Sequence, residues 1–315
     1  MPPTASAQLN PDLIDTGTPP IPEAQGWARA YGGARGPLID LSQAVPGAPP
    51  PVTLLEKLAA AAAEPGSTRY GGITGDAALR EAYAAEISRI YGTAFAPAEV
   101  AITSGCNQAY VVTMMALARA GDNVLLPTPW YFNHEMTLTM LGVEARPLPC
   151  APEAGFVPDV ATAEALIDDR TRAIVLVTPN NPTGAVYPPE TIAAFAALCA
   201  RRGIWLVLDE TYRDFLPADV AKPHEVFATT SWQDSVIGLY SFSPMRFRVG
   251  ASARSRPANQ RSPRSARCWT ASRSARSGPG RRRSPGASTA SATGASATAP
   301  RSTPAPISSG RQWRR

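Results

Sequence analysis

The sequence predicts an α/β fold in which a mostly parallel β-sheet is flanked by helices. Between residues 52 and 250, short apolar strands alternate with helical patterns, which is typical of parallel strands joined by crossover helices. One strand, Ala173–Thr178, is a continuous apolar run, as expected where both faces of a sheet are covered. The hydrophobic fraction of 44% is sufficient for a sizeable core.

Six helices are predicted from apolar residues that recur at helical spacing. The first helix stops at Pro65-Gly66, and the last is closed by Gly203, because proline and glycine end helical patterns. In chain order the helices are Val52–Glu64, Asp76–Ile90, Gly105–Ala120, His134–Leu141, Ala161–Ile167 and Glu190–Arg202.

Five strands are predicted from short apolar runs that are bounded by turn residues. In chain order they are Asn123–Leu126, Val143–Leu148, Ala173–Thr178, Ile204–Leu208 and Val236–Phe242. Because the carboxyl ends of parallel strands meet at one edge of an open sheet, ligands are expected at that edge.

The chain divides into three segments by composition. Residues 1–51 are rich in Pro, Gly and Ala and are interpreted as an N-terminal arm with little regular structure. Residues 52–250 form the large globular domain that contains the predicted sheet. Residues 251–315 hold 14 Arg and 14 Ser, and Ile307 is their only Ile, Leu or Val. We expect this tail to be disordered, because it cannot bury enough apolar area to offset the entropy of ordering.

The formal net charge of +5 averages two unlike parts of the chain. The tail contains no Lys, Asp or Glu. Subtracting its 14 arginines from the 30 Lys and Arg of the chain leaves 16 basic residues against 25 acidic residues in 1–250, a net charge of −9. The basic balance of the whole chain is therefore poor evidence for nucleic-acid binding.

Several protein classes are not expected. No run of about 18 apolar residues predicts a membrane span, and the first residues do not resemble a secretory signal. The four cysteines, at positions 106, 150, 199 and 268, are too scattered for a disulfide framework or a metal site. Only two histidines are present. We therefore expect a cytoplasmic protein with no metal site.

Polar motifs follow three of the predicted strands at their carboxyl ends. They are TPNNPTG at Thr178–Gly184, DETY at Asp209–Tyr212 and SFS at Ser241–Ser243. A fourth motif, SGCNQ at Ser104–Gln108, opens a helix. The free N–H groups and the dipole of a helix N-terminus suit a phosphate.

Together these motifs resemble those of the fold-type I pyridoxal-phosphate enzymes, specifically the class I and II aminotransferases. The resemblance runs from Leu41 to Gly250 and includes LSQAVPG at 41–47, RYGGITGDAALREA at 69–82 and PTPWYFNH at 127–134. The agreement of order, spacing and strand context makes the combination specific, although each motif alone would be weak. The resemblance implies the large domain of a pyridoxal-phosphate-dependent transferase. It also implies transfer of an amino group between an amino acid and a 2-oxo acid, usually by a homodimer.

The resemblance assigns one group of residues to the phosphate of pyridoxal 5′-phosphate. The N–H groups of Gly105, Cys106 and Asn107 would surround the phosphate, and Ser241 would donate its hydroxyl. Tyr70 would reach a phosphate across the dimer interface, from the partner subunit.

A second group would hold the pyridine ring. Tyr131 would stack on it. Asp209 would pair with the ring nitrogen and keep it protonated, so that the ring can act as an electron sink. Asn181 and Tyr212 would hydrogen-bond the ring oxygen O3′.

The catalytic lysine of the family is missing. Members carry the lysine that forms a Schiff base with the cofactor directly after the SFS element, but position 244 is Pro. The chain has only Lys57 and Lys222, and neither lies in a suitable motif. Arg248 is similar to the phosphate-binding arginine that follows the lysine, but it comes too soon after position 244. We therefore expect no certain catalytic residue, noncovalent cofactor binding at most, and an inactive chain.

Beyond Ala251 the resemblance stops. Family members continue through a C-terminal small domain that supplies an arginine for the substrate carboxylate, and we expect this domain to be missing here. The abrupt change to an Arg/Ser/Pro/Ala-rich tail is interpreted as a truncation or a shifted reading frame in GC-rich DNA.

Two other functions stay open. Other fold-type I enzymes, such as lyases acting at Cβ or Cγ, share much of this scaffold. A non-catalytic protein could instead use the Arg/Ser tail to bind RNA. A shifted GC-rich frame explains the tail without that function, and no RNA-binding motif accompanies it.

Single residues also have structural interpretations. Asp209 could be an ordinary strand-end carboxylate, and Asn181 could form a turn. Tyr131 could belong to the core. His134 is interpreted as a helix-surface or packing residue rather than a catalyst, and Glu210 could be structural.

Overall fold

A computed structural model describes residues 8–40, 42, 49–220, 222–228 and 232–242, and the backbone of 250–253. The chain divides into two compact units, Met1–Ser274 and Ala275–Arg315, and every described residue belongs to the first. The predictions made for the motif at 41–47, for Pro244, for Arg248 and for the tail after residue 253 lie outside the described residues.

The described residues contain eight α-helices and seven β-strands. The helices are α1 (Pro11–Asp15), α2 (Ile21–Ala30), α3 (Val52–Ala63), α4 (Ala77–Tyr91), α5 (Cys106–Leu117), α6 (Phe132–Met140), α7 (Val160–Leu166) and α8 (Pro189–Arg202). The strands are β1 (Val100–Thr103), β2 (Asn123–Thr128), β3 (Glu144–Pro149), β4 (Thr171–Val177), β5 (Trp205–Asp209), β6 (Val236–Ser241) and β7 (Gly250–Ala253).

The six predicted helices and five predicted strands are all present, with ends that differ by up to three residues. Local chemistry fixes several of these ends. The Asp76 side chain accepts a hydrogen bond from the Leu79 N–H at the start of α4. Gly92 and Gly203 end α4 and α8 in the left-handed conformation, with φ of 63° and 65°.

The N-terminal arm is more regular than the sequence suggested. Helices α1 and α2 lie within residues 8–40, where we expected little regular structure. The side chain of Asn10 caps α1 by accepting from the Asp12 N–H, and both helices have a proline in the first turn. The prolines that suggested an irregular segment are therefore placed where a helix start tolerates them.

The seven strands form one mostly parallel sheet in the order β1-β7-β6-β5-β4-β2-β3. The pairs β3–β2, β2–β4, β4–β5 and β5–β6 are parallel, as predicted. Strand β7 is antiparallel to both of its neighbours, β1 and β6. The predicted fold class is confirmed.

Strands β1 and β7 were not predicted. Strand β1 has only four residues, and β7 is the Gly-Ala-Ser-Ala segment at 250–253, which carries no β-branched or aromatic residue. Residues 251–253 were expected in the disordered tail, but they pair with β1 and β6. Pairing on both edges, rather than intrinsic strand preference, places this segment in the sheet.

The core lies on both faces of the sheet. Successive residues of a strand point to opposite faces, so Ile174 packs in one apolar cluster with Phe195 of α8. Val175 packs in the other cluster with Met114 of α5. The continuous apolar run of β4 is therefore buried on both sides, as its composition predicted.

Strand order determines which motifs meet. Asp209 ends β5 and is paired with Val177 of β4 and Leu239 of β6. Because these strands are parallel, the segments after β4, β5 and β6 leave the sheet at the same edge. Strand β2 lies beside β4, so the residues that follow β2 reach this edge as well.

Candidate active site

Asp209 is the central acidic residue at this edge. Its side chain is buried, and its Oδ1 accepts hydrogen bonds from the Thr211 N–H at 3.0 Å and the Thr211 hydroxyl at 2.7 Å. The Nε2 atom of His134 lies 3.2 Å from Oδ2. Burial alone would raise the pKa of Asp209, but His134 and the Thr211 donors outweigh it and lower the pKa. The site therefore holds a buried, ionised carboxylate.

Cys106 lies directly against this carboxylate. Its Sγ atom is 3.8 Å from both Oδ1 and Oδ2 of Asp209. Burial, followed by the negative charge of Asp209, raises the pKa of Cys106 well above its usual value. The residue therefore remains a thiol, although a helix N-terminus usually favours the thiolate.

The start of α5 has the geometry of an anion site. Gly105 precedes the helix with φ of 103°, a conformation that favours glycine, and a Cβ atom there would meet nothing within 4 Å. The Ser104 N–H donates to Gln108 Oε1 at 2.6 Å, which fixes the loop. The first N–H groups of any helix have no acceptor within that helix. The backbone at Gly105, Cys106 and Asn107 is therefore suited to a phosphate.

Tyr131 joins this helix start to α6. Its hydroxyl accepts from the Asn133 side chain at 2.7 Å and is also hydrogen-bonded to Asn107. Burial, together with the charge of Asp209, raises the pKa of Tyr131 and outweighs these two hydrogen bonds. The ring is only partly buried, and it lies next to the carboxylate and not inside the core.

Asn181 and Tyr212 also lie together. A side-chain hydrogen bond joins them, and the charge of Asp209 acts on Tyr212. Burial is the main reason that the pKa of Tyr212 is raised. Two residues from different strand ends, β4 and β5, are thus joined, and one of them, Tyr212, lies near the carboxylate.

The remaining predicted residues are distributed differently. Ser241 is buried and ends β6, the strand next to Asp209. Tyr70 has a fully exposed side chain in the single chain, at 104% of its reference area. The structure thus brings seven predicted residues to one edge and leaves Tyr70 outside them. The seven are Cys106, Asn107, Tyr131, Asn181, Asp209, Tyr212 and, by its strand position, Ser241. The eighth predicted residue, Gly105, caps α5 directly before Cys106.

His134 was interpreted as a helix-surface or packing residue and was not predicted as a site residue. The structure excludes the surface position and agrees with packing. The imidazole is 2% exposed and faces Asp209. The sequence carried one signal, since His134 stands three residues after Tyr131 and so lies on nearly the same side of the chain as it enters α6. Only the placement of β2 beside β4 shows that this position reaches the end of β5.

Glu210 faces the opposite side of the sheet from Asp209. Its Oε2 accepts from the Tyr91 hydroxyl at 2.5 Å, and its Oε1 lies 3.3 Å from Nε2 of His224. Arg213 lies nearby and places its guanidinium 4.3 Å from the ring centre of Tyr240. Burial alone would raise the pKa of Glu210, but His224 and Arg213 outweigh it and lower the pKa. These contacts fit the structural interpretation of Glu210.

The two lysines lie elsewhere. Lys57 is exposed on α3, and Lys222 pairs with Glu225 at 2.8 Å. Within the described residues, no group of three or more His, Cys, Asp or Glu side chains could hold a metal ion. In the same part of the chain, no helix has the length and apolar character needed to cross a membrane.

Comparison with known proteins identifies the family. The model of the family described as "Aminotransferase class I and II" matches residues 37–264. The chain belongs to this family. Members of the family use pyridoxal 5′-phosphate, so the resemblance noted in the motifs is confirmed. The match extends past residue 250, where the motif resemblance ended, and includes β7.

Relatives with known names cover part of the chain. Valine–pyruvate aminotransferase of Mycobacterium tuberculosis is 36% identical over 203 residues, 63% of this chain and 51% of the relative. Aspartate/prephenate aminotransferase of Thermus thermophilus is 34% identical over 183 residues, 53% of this chain and 48% of the relative. The chain thus spans about half the length of these two relatives.

Solved structures agree with the observed fold. Aspartate aminotransferase from Thermus thermophilus with maleate superposes with a TM-score of 0.72 at 26% identity, over 84% of this chain and 67% of that one. An aminotransferase from Mycobacterium tuberculosis superposes with a TM-score of 0.70 at 27% identity, over 84% of this chain and 66% of that one.

Proposed function

We propose that this chain binds pyridoxal 5′-phosphate noncovalently at the edge formed by α5, β4, β5 and β6, and that it does not complete transamination. The family membership makes it an aminotransferase by descent. The observation that carries the binding proposal is the buried, ionised Asp209 beside an open helix N-terminus. When bound, pyridoxal 5′-phosphate serves as an electron sink for the bonds of the substrate Cα.

In this proposal Asp209 pairs with the protonated ring nitrogen. A carboxylate has about four acceptor positions. Thr211 and His134 use three of them in the described structure, and the fourth contact is the weakly donating Cys106 thiol at 3.8 Å. A ring N–H is a stronger donor than a thiol, so it can take that position. Tyr131 stacks on the ring, and Asn181 with Tyr212 binds O3′.

The phosphate is proposed to lie at the N–H groups of Gly105, Cys106 and Asn107, with the Ser241 hydroxyl as a further donor. The open space in front of Gly105 supports close approach of an anion to the backbone. Tyr70 completes the site only from a second subunit, and its full exposure in the single chain supports a homodimer.

The absence of transamination rests on residue 244. Proline has no primary amine with which to hold the cofactor or to move a proton at the substrate Cα. Lys222 is paired with Glu225, and Lys57 lies on an exposed helix face, so neither replaces it in the described structure.

The substrate class is proposed from the relatives. Their names include valine–pyruvate, aspartate/prephenate and arginine–pyruvate activities, which share only an amino acid donor and a 2-oxo acid acceptor. We therefore propose these two classes for the family site and name no single donor. We also propose a cytoplasmic location, which the three unpaired cysteines of the described residues support.

The test is an absorbance titration of the purified full chain with pyridoxal 5′-phosphate, before and after borohydride. Because the chain has only two lysines, the Lys57→Arg/Lys222→Arg variant removes every lysine and with it adducts on surface lysines. We expect this variant to shift the cofactor spectrum as the parent does, with no reducible bond. A spectrum identical to that of the free cofactor would show that binding does not occur.

A matched gain-of-function arm tests the role of residue 244. Introducing Pro244→Lys into the lysine-free variant should create a borohydride-reducible adduct, which peptide mapping would locate at that position. Turnover of amino and 2-oxo acids by the unmodified parent would contradict the proposed inactivity. Light scattering at several protein concentrations measures whether the parent dimerises.

A further inference from the structure

The imidazole of His134 lies between two tyrosine rings. Tyr110 of α5 stacks on it with ring centres 3.9 Å apart and planes inclined by 22°. Tyr131 meets it edge-on, at 5.2 Å and 82°. A ring confined in this way has a fixed plane, and the plane determines where its N–H groups point. For His134, Nε2 points to Oδ2 of Asp209 at 3.2 Å.

Tyr110 lies four residues after Cys106 on α5, so both side chains lie on the same side of the helix. Cys106 touches Asp209 directly, whereas Tyr110 reaches it through His134. Tyr110 is 1% exposed. The same helix therefore supplies the proposed phosphate contacts from its first turn and the support of His134 from its second.

The ring of Tyr110, not its hydroxyl, makes this contact. The hydroxyl is buried and has no hydrogen-bond partner among the described residues. The negative charge of Asp209 also raises the pKa of Tyr110, in addition to the larger effect of burial, so the phenol stays neutral. A neutral ring stacked on the imidazole restricts its rotation without competing for Asp209.

We propose that Tyr110 is a positioning residue whose ring holds His134 in the orientation that directs its Nε2–H to Asp209. The consequence for the cofactor rests on the proposed function, since Asp209 is the residue proposed to bind the ring nitrogen. The other groups around this carboxylate are Thr211, Cys106, Tyr131 and Tyr212. Tyr131 meets the imidazole only edge-on, whereas Tyr110 stacks on its face and so restricts its rotation.

Nuclear magnetic resonance of ¹⁵N-histidine-labelled full chain tests this proposal without any cofactor. The chain has two histidines, and the His134→Gln variant identifies the His134 signals. We expect an exchange-protected Nε2–H signal for His134 in the parent. Tyr110→Phe should retain it, because the stacked ring remains, whereas Tyr110→Leu should lose it. The His224 signal, on the opposite face of the sheet beside Glu210, should not change in either variant.

Cofactor affinity is the second measurement. If a well-directed hydrogen bond to a charged group is lost, Tyr110→Leu should weaken binding about tenfold, whereas Tyr110→Phe should bind as the parent does. If the parent does not bind the cofactor, the proposed function is contradicted, but the proposal for Tyr110 is not. The reason is that the His134 signals are recorded without cofactor.

Three outcomes overturn the proposal. The first is an unchanged His134 signal in Tyr110→Leu, and the second is its loss in Tyr110→Phe. If Tyr110→Leu does not fold, as judged by the His224 signal, the less space-creating Tyr110→Met takes its place. Unfolding of both aliphatic variants is the third, because Tyr110 would then be a core residue only.

Discussion

Asp209 and Glu210 are neighbours in sequence but face opposite sides of the sheet. Both are buried, both have a lowered pKa despite burial, and each lies beside one of the two histidines of the chain. Asp209 faces the helix start at Gly105, whereas Glu210 faces Tyr91 and the buried Arg213. A carboxylate–imidazole pair is thus found once at the proposed ligand site and once on the other side of the sheet, away from that site.

The difference lies in the groups that face each carboxylate. The carboxylate of Glu210 is engaged by a tyrosine hydroxyl at 2.5 Å and by His224, with a guanidinium nearby. One contact of Asp209 is only a thiol at 3.8 Å. Glu210 is thus enclosed by the tyrosine, imidazole and guanidinium groups of the interior. Asp209 instead faces the start of α5, where its weak thiol partner can be replaced by a stronger donor.

The largest effect that separates the two residues is expected for Asp209→Asn. The amide keeps the shape but removes the charge, so cofactor affinity should fall about a hundredfold as a charged hydrogen bond is lost. Glu210→Gln should leave the affinity of the folded fraction near that of the parent. An absorbance titration with pyridoxal 5′-phosphate measures the affinity of both variants. Equal losses of affinity would show that the two carboxylates do not differ in cofactor binding.

Tyr91→Phe should affect stability and not binding. It removes the hydroxyl that donates to Glu210, at a cost of about 2 kcal/mol in the free energy of unfolding. Urea unfolding measures this loss. Tyr110→Phe is the matched control, because that buried hydroxyl has no partner among the described residues. A comparable loss of unfolding free energy in both variants would show that the hydrogen bond to Glu210 does not stabilise the fold.

Arg213→Lys should have a smaller effect on the same face. The guanidinium lies over the ring of Tyr240, and the pKa of Arg213 is raised by Tyr83, Tyr91 and Glu210, which outweigh the opposing effect of burial. A lysine keeps the charge but loses the contact of the guanidinium with the ring, which should cost about 1 kcal/mol of unfolding free energy. Thermal and urea unfolding measure this cost. An unchanged unfolding midpoint in Arg213→Lys would show that the contact between the guanidinium and Tyr240 does not contribute to stability.

The smallest effect concerns pH. Both carboxylates have folded-state pKa values below their ordinary ones of 3.8 and 4.5. Their stabilisation is therefore complete above those values and is lost as the pH falls through the folded-state pKa. Urea unfolding between pH 6 and pH 3 should show a steeper loss in the parent than in Asp209→Asn/Glu210→Gln. Parallel curves would mean that neither carboxylate is stabilised by folding.

Much of the fold could be predicted because its elements have strong local signals. The apolar run of β4 and the glycine that closes α8 need no tertiary information. Helices α1 and α2 were missed because their prolines also suit irregular segments. Strands β1 and β7 were missed because four residues are too few for a periodic pattern, and β7 consists of small residues.

The sequence by itself determined the family chemistry of this protein. The NNPTG, DETY and SFS motifs, the glycine at 105 and the proline at 244 are all set by residue type and order. Only the tertiary structure decided that His134 supports Asp209 and that His224 lies beside Glu210. The first contact joins residues 75 positions apart and depends on the strand order β5-β4-β2. The second joins residues 14 positions apart and depends on the alternation of side chains across the sheet, which turns Glu210 away from Asp209. Local sequence patterns do not specify either distance.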